Sequence, residues 1–92
     1  MKIRFIINPI AGTGKQKDIA KHISFHMKNY DLFYTKEQGD ARKISLDAVK
    51  QQVDTVIVVG GDGTVNECVK SLKNTNTALG VIPCGSGNGF AY

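Results

Sequence analysis

The stretch "VIVVGGDGTVNE", residues 56 to 67, runs four apolar residues into Gly60, Gly61, Asp62, Gly63 and Thr64. Its first part is continuous instead of alternating, the pattern of a strand buried on both faces of a parallel sheet. "IRFIIN" at 3 to 8 and "ALGVIP" at 78 to 83 share that pattern, and "DLFYT" at 31 to 35 is a weaker fourth candidate. Between these runs the apolar spacing changes to that of helices. Ile19, Ile23 and Met27 share a face with Ala20 beside them; Ala41, Ile44 and Ala48 share another, flanked by Val49, with Asp40 placed to cap its start. Val65, Cys68, Val69 and Leu72 form a third core-facing stripe. The order is β-α-β-α-β-α-β, which predicts an α/β fold: a three-layer parallel sheet with right-handed crossovers.

In an open parallel sheet, ligands bind outside the carboxyl ends of the strands. Here the first strand empties into "NPIAGTGK", the third into "GGDGT" and the fourth into "PCGSGNG", so eight of the ten glycines fall in three strand-to-helix junctions. Tight turns alone do not need so many. Glycines let successive N–H groups turn toward an anion that approaches closely, and the following helix adds its N-terminal donors. Thr13, Thr64 and Ser86 can add hydroxyls and Lys15 a point charge, which together are the parts of a polyphosphate site. A side chain at Gly61 or Gly63 is expected to strain the backbone and to fill phosphate space. A Walker-A reading of "AGTGK" fails, because Pro9 stands where a glycine is needed and Gln16 where Ser or Thr is needed. A dinucleotide fingerprint after the first strand fails as well.

Asp62 is the one carboxylate within the glycine cluster. Beside phosphates it is repelled unless something positive intervenes, so it points to Mg²⁺ or to an incoming hydroxyl that it orients; the alternative is that it accepts hydrogen bonds from its own loop and holds its shape. Asn66 and Glu67, in the first turn of the next helix, either fix the loop or contact the ligand, and Glu67 also complements the helix dipole.

The remaining features narrow the classes. The chain has 92 residues, room for one compact domain with a thin core, and a formal charge of +4 with no basic run that would mark a nucleic-acid surface. Cys68 and Cys84 have no metal spacing and read as reduced thiols of a cytoplasmic protein. His22 and His26 lie one helical turn apart without a third ligand and read as surface or packing residues. The N-terminus matches neither a signal peptide nor a membrane span.

"NPIAGTGK", "VVGGDGTVNE" and "LGVIPCGSGNGFA", in that order and with "YTKEQGDA" between the first two, resemble the N-terminal nucleotide-binding region of the diacylglycerol kinase catalytic-domain family, which includes bacterial lipid kinases, sphingosine kinases and ceramide kinases. The resemblance implies ATP-dependent, Mg²⁺-assisted phosphorylation of a lipid hydroxyl, with diacylglycerol or a sphingoid base as acceptor. It implies nucleotide contacts at Asn8, Pro9, Ala11, Gly12, Thr13, Gly14 and Lys15, and at Thr35 of the T-x-x-x-G-D-A segment. Further contacts fall on Gly60, Gly61, Asp62, Gly63, Thr64, Asn66 and Glu67, and on Gly85, Ser86, Gly87 and Asn88 of the last loop. Asp62 falls on the family's essential acid. "GSGNGFA" stands where bacterial relatives more often have "GTANDFA", and Gly89 in place of the aspartate leans toward the sphingosine-kinase-like branch. In the family a β-rich second domain follows, bringing further acidic residues and, by expectation, peripheral membrane contact. Residues 1 to 92 then form the nucleotide-binding part of a two-domain protein and are expected to be inactive alone. The rivals are an NAD kinase-like enzyme, which shares "GGDG" but not the "GSGNGFA" segment, and a nucleotide-binding module without catalysis.

Overall fold

The computed structural model describes residues 1–9, 21, 23 and 29–83. Four strands, β1 (Ile3–Ile7), β2 (Tyr30–Tyr34), β3 (Thr55–Gly60) and β4 (Ala78–Pro83), form one parallel sheet in the order β2-β1-β3-β4. Two helices, α1 (Asp40–Lys50) and α2 (Asp62–Leu72), follow β2 and β3. The α/β architecture and the four strands are those the apolar runs predict, with β2 beginning one residue earlier than expected, at Tyr30. Of the segment between β1 and β2, Lys21 and Ile23 are helical and Ile23 is buried; Ile19, Ala20, Met27, His22 and His26 lie outside the described residues.

The two central strands explain the continuous apolar runs. Ile7 pairs with Tyr34 on one side and Val59 on the other, and Ile6 with Phe33 and Val58. Successive side chains alternate faces, so a strand covered on both faces needs apolar residues at every position. Ile6, Val56 and Val58 join Ala41 and Ala48 of α1 and Cys68 and Leu72 of α2 in one cluster, while Ile7 and Val59 pack with Leu32 and Ile82 in a second. Full burial of an aliphatic side chain of this size contributes roughly 1.5–3 kcal/mol. Cys68 is fully buried among the first cluster. Burial pushes its thiol above the usual range, the Ser45 hydroxyl opposes that shift and the charge of Glu67 adds to it. A protonated, inaccessible thiol is the expected reduced cysteine; Cys84 lies outside the described residues.

Two expectations change. Val69 is 45% exposed instead of buried: α2 meets α1 on one flank, β4 is the last strand on the other, and Val69 falls beyond that cover among the described residues. Asp40 does not cap α1 from within. The N-cap is Gly39, at φ 97°, and the Asp40 carboxylate turns back to accept the amides of Lys36 (2.8 Å) and Glu37 (3.1 Å). Those two amides hold its pKa below the ordinary value.

Arg4 interrupts the apolar run of β1, yet its side chain is only 4% exposed. Alternation places it on the α1 face, beside Ile6. Its guanidinium donates to the Ile44 carbonyl (3.0 Å) and the Asp47 carboxylate (2.9 Å) through Nη1 and to Asp31 (3.4 Å) through Nη2, and lies 4.5 Å from the centre of the Phe33 ring. It thereby fills the gap between β2 and α1 with a long stem and a paired head. Asp31 and Asp47 are half-exposed, so neither is stranded if Arg4 is removed. Arg4→Ala is expected to lower unfolding free energy by about 1–2 kcal/mol, chiefly through lost packing, and Asp47→Ala by less than about 0.5 kcal/mol. Arg4→Met, which keeps the stem and drops a buried Nε with no partner among the described residues, should stay within about 1 kcal/mol of the parent in urea titrations.

Candidate functional site

The strand order makes a switch point. From β1 the chain leads to β2 on one side, and from β3 it leads to β4 on the other, so the connections diverge at the carboxyl ends of β1 and β3. A crevice opens where neighbouring strands send their connections apart. Asn8 follows β1 there and Gly61 follows β3.

Asn8 bridges the two. Its amide N–H donates to the Val59 carbonyl at 2.9 Å and its side-chain Nδ2 to the Thr64 hydroxyl at 3.1 Å. Gly60 lies beneath this bridge: a Cβ there would stand 3.1 Å from Thr64 Cβ and 3.4 Å from Asn8 Cβ, so the first glycine of the motif is favoured by close approach of the chain to itself.

Gly61 and Gly63 are different. Gly61 is extended, at φ −87° and ψ −175°, and Gly63 sits in the first turn of α2 outside the left-handed region. A Cβ on either meets nothing within 4 Å among the described residues. The expected backbone strain is therefore absent at both positions, and neither conformation nor packing among the described residues calls for glycine. At Gly63 the choice is unfavourable for the helix, since Ala is preferred over Gly by up to about 1 kcal/mol.

The N-terminus of α2 is open. Gly61 supplies no side-chain cap, and the first helical bond runs from the Val65 amide to the Gly61 carbonyl at 3.0 Å. The amides of Asp62, Gly63 and Thr64 meet no acceptor among the described residues, which leaves three donors and the positive end of the helix dipole facing the crevice. The Asp62 carboxylate is exposed and makes no hydrogen bond or ion pair among the described residues. It is not shaping its loop.

The neighbouring helix shows the contrast. The α1 N-terminus is closed by Glu67, whose carboxylate accepts the Gly39 amide (3.1 and 3.3 Å) and the Arg42 amide (3.2 Å). That cap comes from another element and has no local signature in the sequence. Thr35 is buried at the end of β2 with its amide on the Ile7 carbonyl at 2.9 Å.

A cleft of about 750 Å³ runs from the switch point along the groove between the two helices. Asn8, Thr35, Gly63, Thr64, Asn66 and Glu67 line it, so six residues singled out from the sequence meet in one cleft. Lys36, Arg42 and Lys70 also line it; no motif marked these three cations, because they come together only when α1 lies beside α2. Pro9 is exposed just beyond Asn8. Ala11, Gly12, Thr13, Gly14, Lys15, Gly85, Ser86, Gly87 and Asn88 lie outside the described residues. Among the described residues no group of three His, Cys, Asp or Glu could hold a metal unaided.

Comparison with known proteins agrees with this architecture. The chain is 33% identical over 94 residues to a diacylglycerol kinase of Mycobacterium tuberculosis, covering 98% of this chain and 30% of that protein. It is 34% identical over 99 residues to a diacylglycerol kinase of Bacillus subtilis, covering 98% and 32%. A crystal structure of a diacylglycerol kinase from Bacillus anthracis superposes with a TM-score of 0.78 at 36% identity, over 91% of this chain and 33% of that one. The solution structure of a phosphate-loop protein, at 17% identity and TM-score 0.72, shares the fold. The chain thus spans about a third of the length of these kinases. The family model of the diacylglycerol kinase catalytic domain matches residues 2–92, and by that match, spanning the strands, the switch point and the open helix, the chain belongs to the diacylglycerol kinase catalytic-domain family.

Proposed function

We propose that this chain forms the nucleotide side of an ATP-dependent lipid kinase, which transfers the γ-phosphate to the hydroxyl of a diacylglycerol or sphingoid base. The observation that carries the reading is the α2 N-terminus. It is uncapped, opens at the switch point, and begins with two glycines that nothing among the described residues requires, around an acid that none of the described residues engages. Bare glycines at a helix start leave room for an anion to reach the amides.

In this reading the amides of Asp62, Gly63 and Thr64 hold phosphate oxygens. The Thr64 hydroxyl, which accepts from Asn8, still has its proton to donate. Lys36, Arg42 and Lys70 make the cleft favourable for a polyanion, and Thr35 and Asn66 border the rest of the nucleotide. The residues fit Mg²⁺ as well: a magnesium ion takes one or two carboxylates with phosphate oxygens and waters, and Asp62 is a free carboxylate beside the phosphate donors. When bound, the ion would neutralise the charge that builds on the transferring phosphate. Asp62 would hold it or orient the acceptor hydroxyl. The family resemblance assigns further nucleotide contacts to Ala11 to Lys15 and to Gly85 to Asn88.

The lipid contact belongs to the rest of the molecule. Among the described residues no helix is long and apolar enough to cross a membrane, and most apolar residues of α1 and α2 pack in the core cluster. Incubation of the full-length protein with Mg²⁺, radiolabelled ATP and, in separate reactions, diacylglycerol, sphingosine and NAD tests the proposal. Labelled lipid is the expected product. Labelled NADP alone would reassign the chemistry to nucleotide phosphorylation, and no product together with tight ATP binding would leave only a binding module.

A further inference from the structure

Glu67 stands in the second turn of α2, and its carboxylate leaves its own helix to close the start of α1. The two N-termini that border the cleft are therefore linked: α2 keeps its first amides open, and the residue one turn further along satisfies those of α1. The segment it reaches is the T-x-x-x-G-D-A turn. At Gly39 the chain passes through the left-handed region, at φ 97°, where a side chain is disfavoured. Asp40 ties the turn from one side through the amides of Lys36 and Glu37, and Glu67 ties it from the other through those of Gly39 and Arg42. Thr35, Lys36, Glu37 and Gln38, between these anchors, form the cleft wall opposite Gly63 and Thr64.

We infer that Glu67 is a positioning residue, which registers the wall formed by residues 35–38 against the open N-terminus of α2 so that both engage one nucleotide. The inference rests on the nucleotide reading above. Glu67 acts through the turn and does not touch the nucleotide: its oxygens are already occupied by the Gly39 and Arg42 amides, and a carboxylate beside phosphates would repel them. Its geometry explains why the acceptor must be long. The side chain spans from one helix to the next, and Oε1 alone accepts from both amides. Glutamine can offer one such oxygen at the same reach and lacks only the charge that complements the helix dipole.

The test uses Glu67→Ala and Glu67→Gln in the full-length protein, with Mg-ATP affinity by calorimetry and hydrogen exchange of the peptide covering residues 36–42. Glu67→Ala is expected to weaken Mg-ATP about tenfold, the size of a lost helix cap, and to speed exchange in that peptide by a similar factor. Glu67→Gln should stay within about threefold of the parent in both readouts. If Glu67→Ala does not fold, Glu67→Asp, which keeps the charge but falls one methylene short of Gly39, should show the same paired losses. Glutamine as damaging as alanine to affinity, with residues 36–42 still protected, would place the carboxylate on the ligand or its metal and overturn the inference. So would unchanged affinity alongside accelerated exchange. A parent protein that binds no Mg-ATP would sink the nucleotide reading itself, an outcome distinct from either.

Discussion

Asp62→Asn in the full-length protein is expected to cut turnover about a hundredfold or more while the melting temperature stays close to that of the parent. The structure separates the two effects. Asp62 is exposed at the first position of α2 and makes no hydrogen bond or ion pair among the described residues, so the fold loses no contact when its charge is removed. The remaining structural contribution is the interaction of a negative charge with the helix N-terminus, a few tenths of a kcal/mol to about 1 kcal/mol. Asparagine keeps the shape and is itself compatible with a helix start. What it cannot do is bind a divalent cation strongly or draw the proton of an acceptor hydroxyl. Steady-state kinetics at saturating ATP, with a thermal melt of the same preparation, decide the matter. Turnover within about twofold of the parent would remove Asp62 from the chemistry.

Gly63→Ala should move stability and binding in opposite directions. The position is helical, its φ is ordinary and a Cβ there touches none of the described residues, so alanine relieves the helix of its poorest common residue and restricts the unfolded chain. The free protein should gain about 0.5 kcal/mol in urea titrations. Mg-ATP affinity should fall about thirtyfold, equivalent to roughly 2 kcal/mol, because the methyl group takes space beside the amides of α2 and separates them from the phosphates. Gly60→Ala is the internal control. Its Cβ would crowd Thr64 and Asn8 at 3.1–3.4 Å, so it should lose stability first. A Gly63→Ala protein that is more stable and binds Mg-ATP as before would show that the open helix start is not where phosphate sits.

The difference between Gly60 and Gly63 shows where sequence reading stops. Both belong to one motif and look equivalent as letters. One is glycine because Asn8, which follows a strand more than fifty residues earlier in the chain, crosses directly above it; the other has no neighbour within 4 Å of a Cβ among the described residues. Glu67 is similar: as a residue near a helix start it reads as a partner for its own helix dipole, and only the packing of α2 against α1 delivers its carboxylate to Gly39 and Arg42. Arg4 looks like a flaw in an apolar strand until Asp31, Asp47 and Phe33 are brought around it.

By itself the sequence determined the four strands, the presence of the two described helices, the parallel α/β class and the family. These follow from local rules: continuous apolar runs for strands buried on both faces, a 3.6-residue period for helices, and a motif order that survives without coordinates. Tertiary structure alone decided the strand order and hence the switch point, the cleft shared by Asn8, Thr35 and Thr64, the gathering of Lys36, Arg42 and Lys70, and the division of two helix starts into one capped and one open. Each of these depends on contacts between residues far apart in the chain, and periodicity carries no information about which distant partner a side chain will meet.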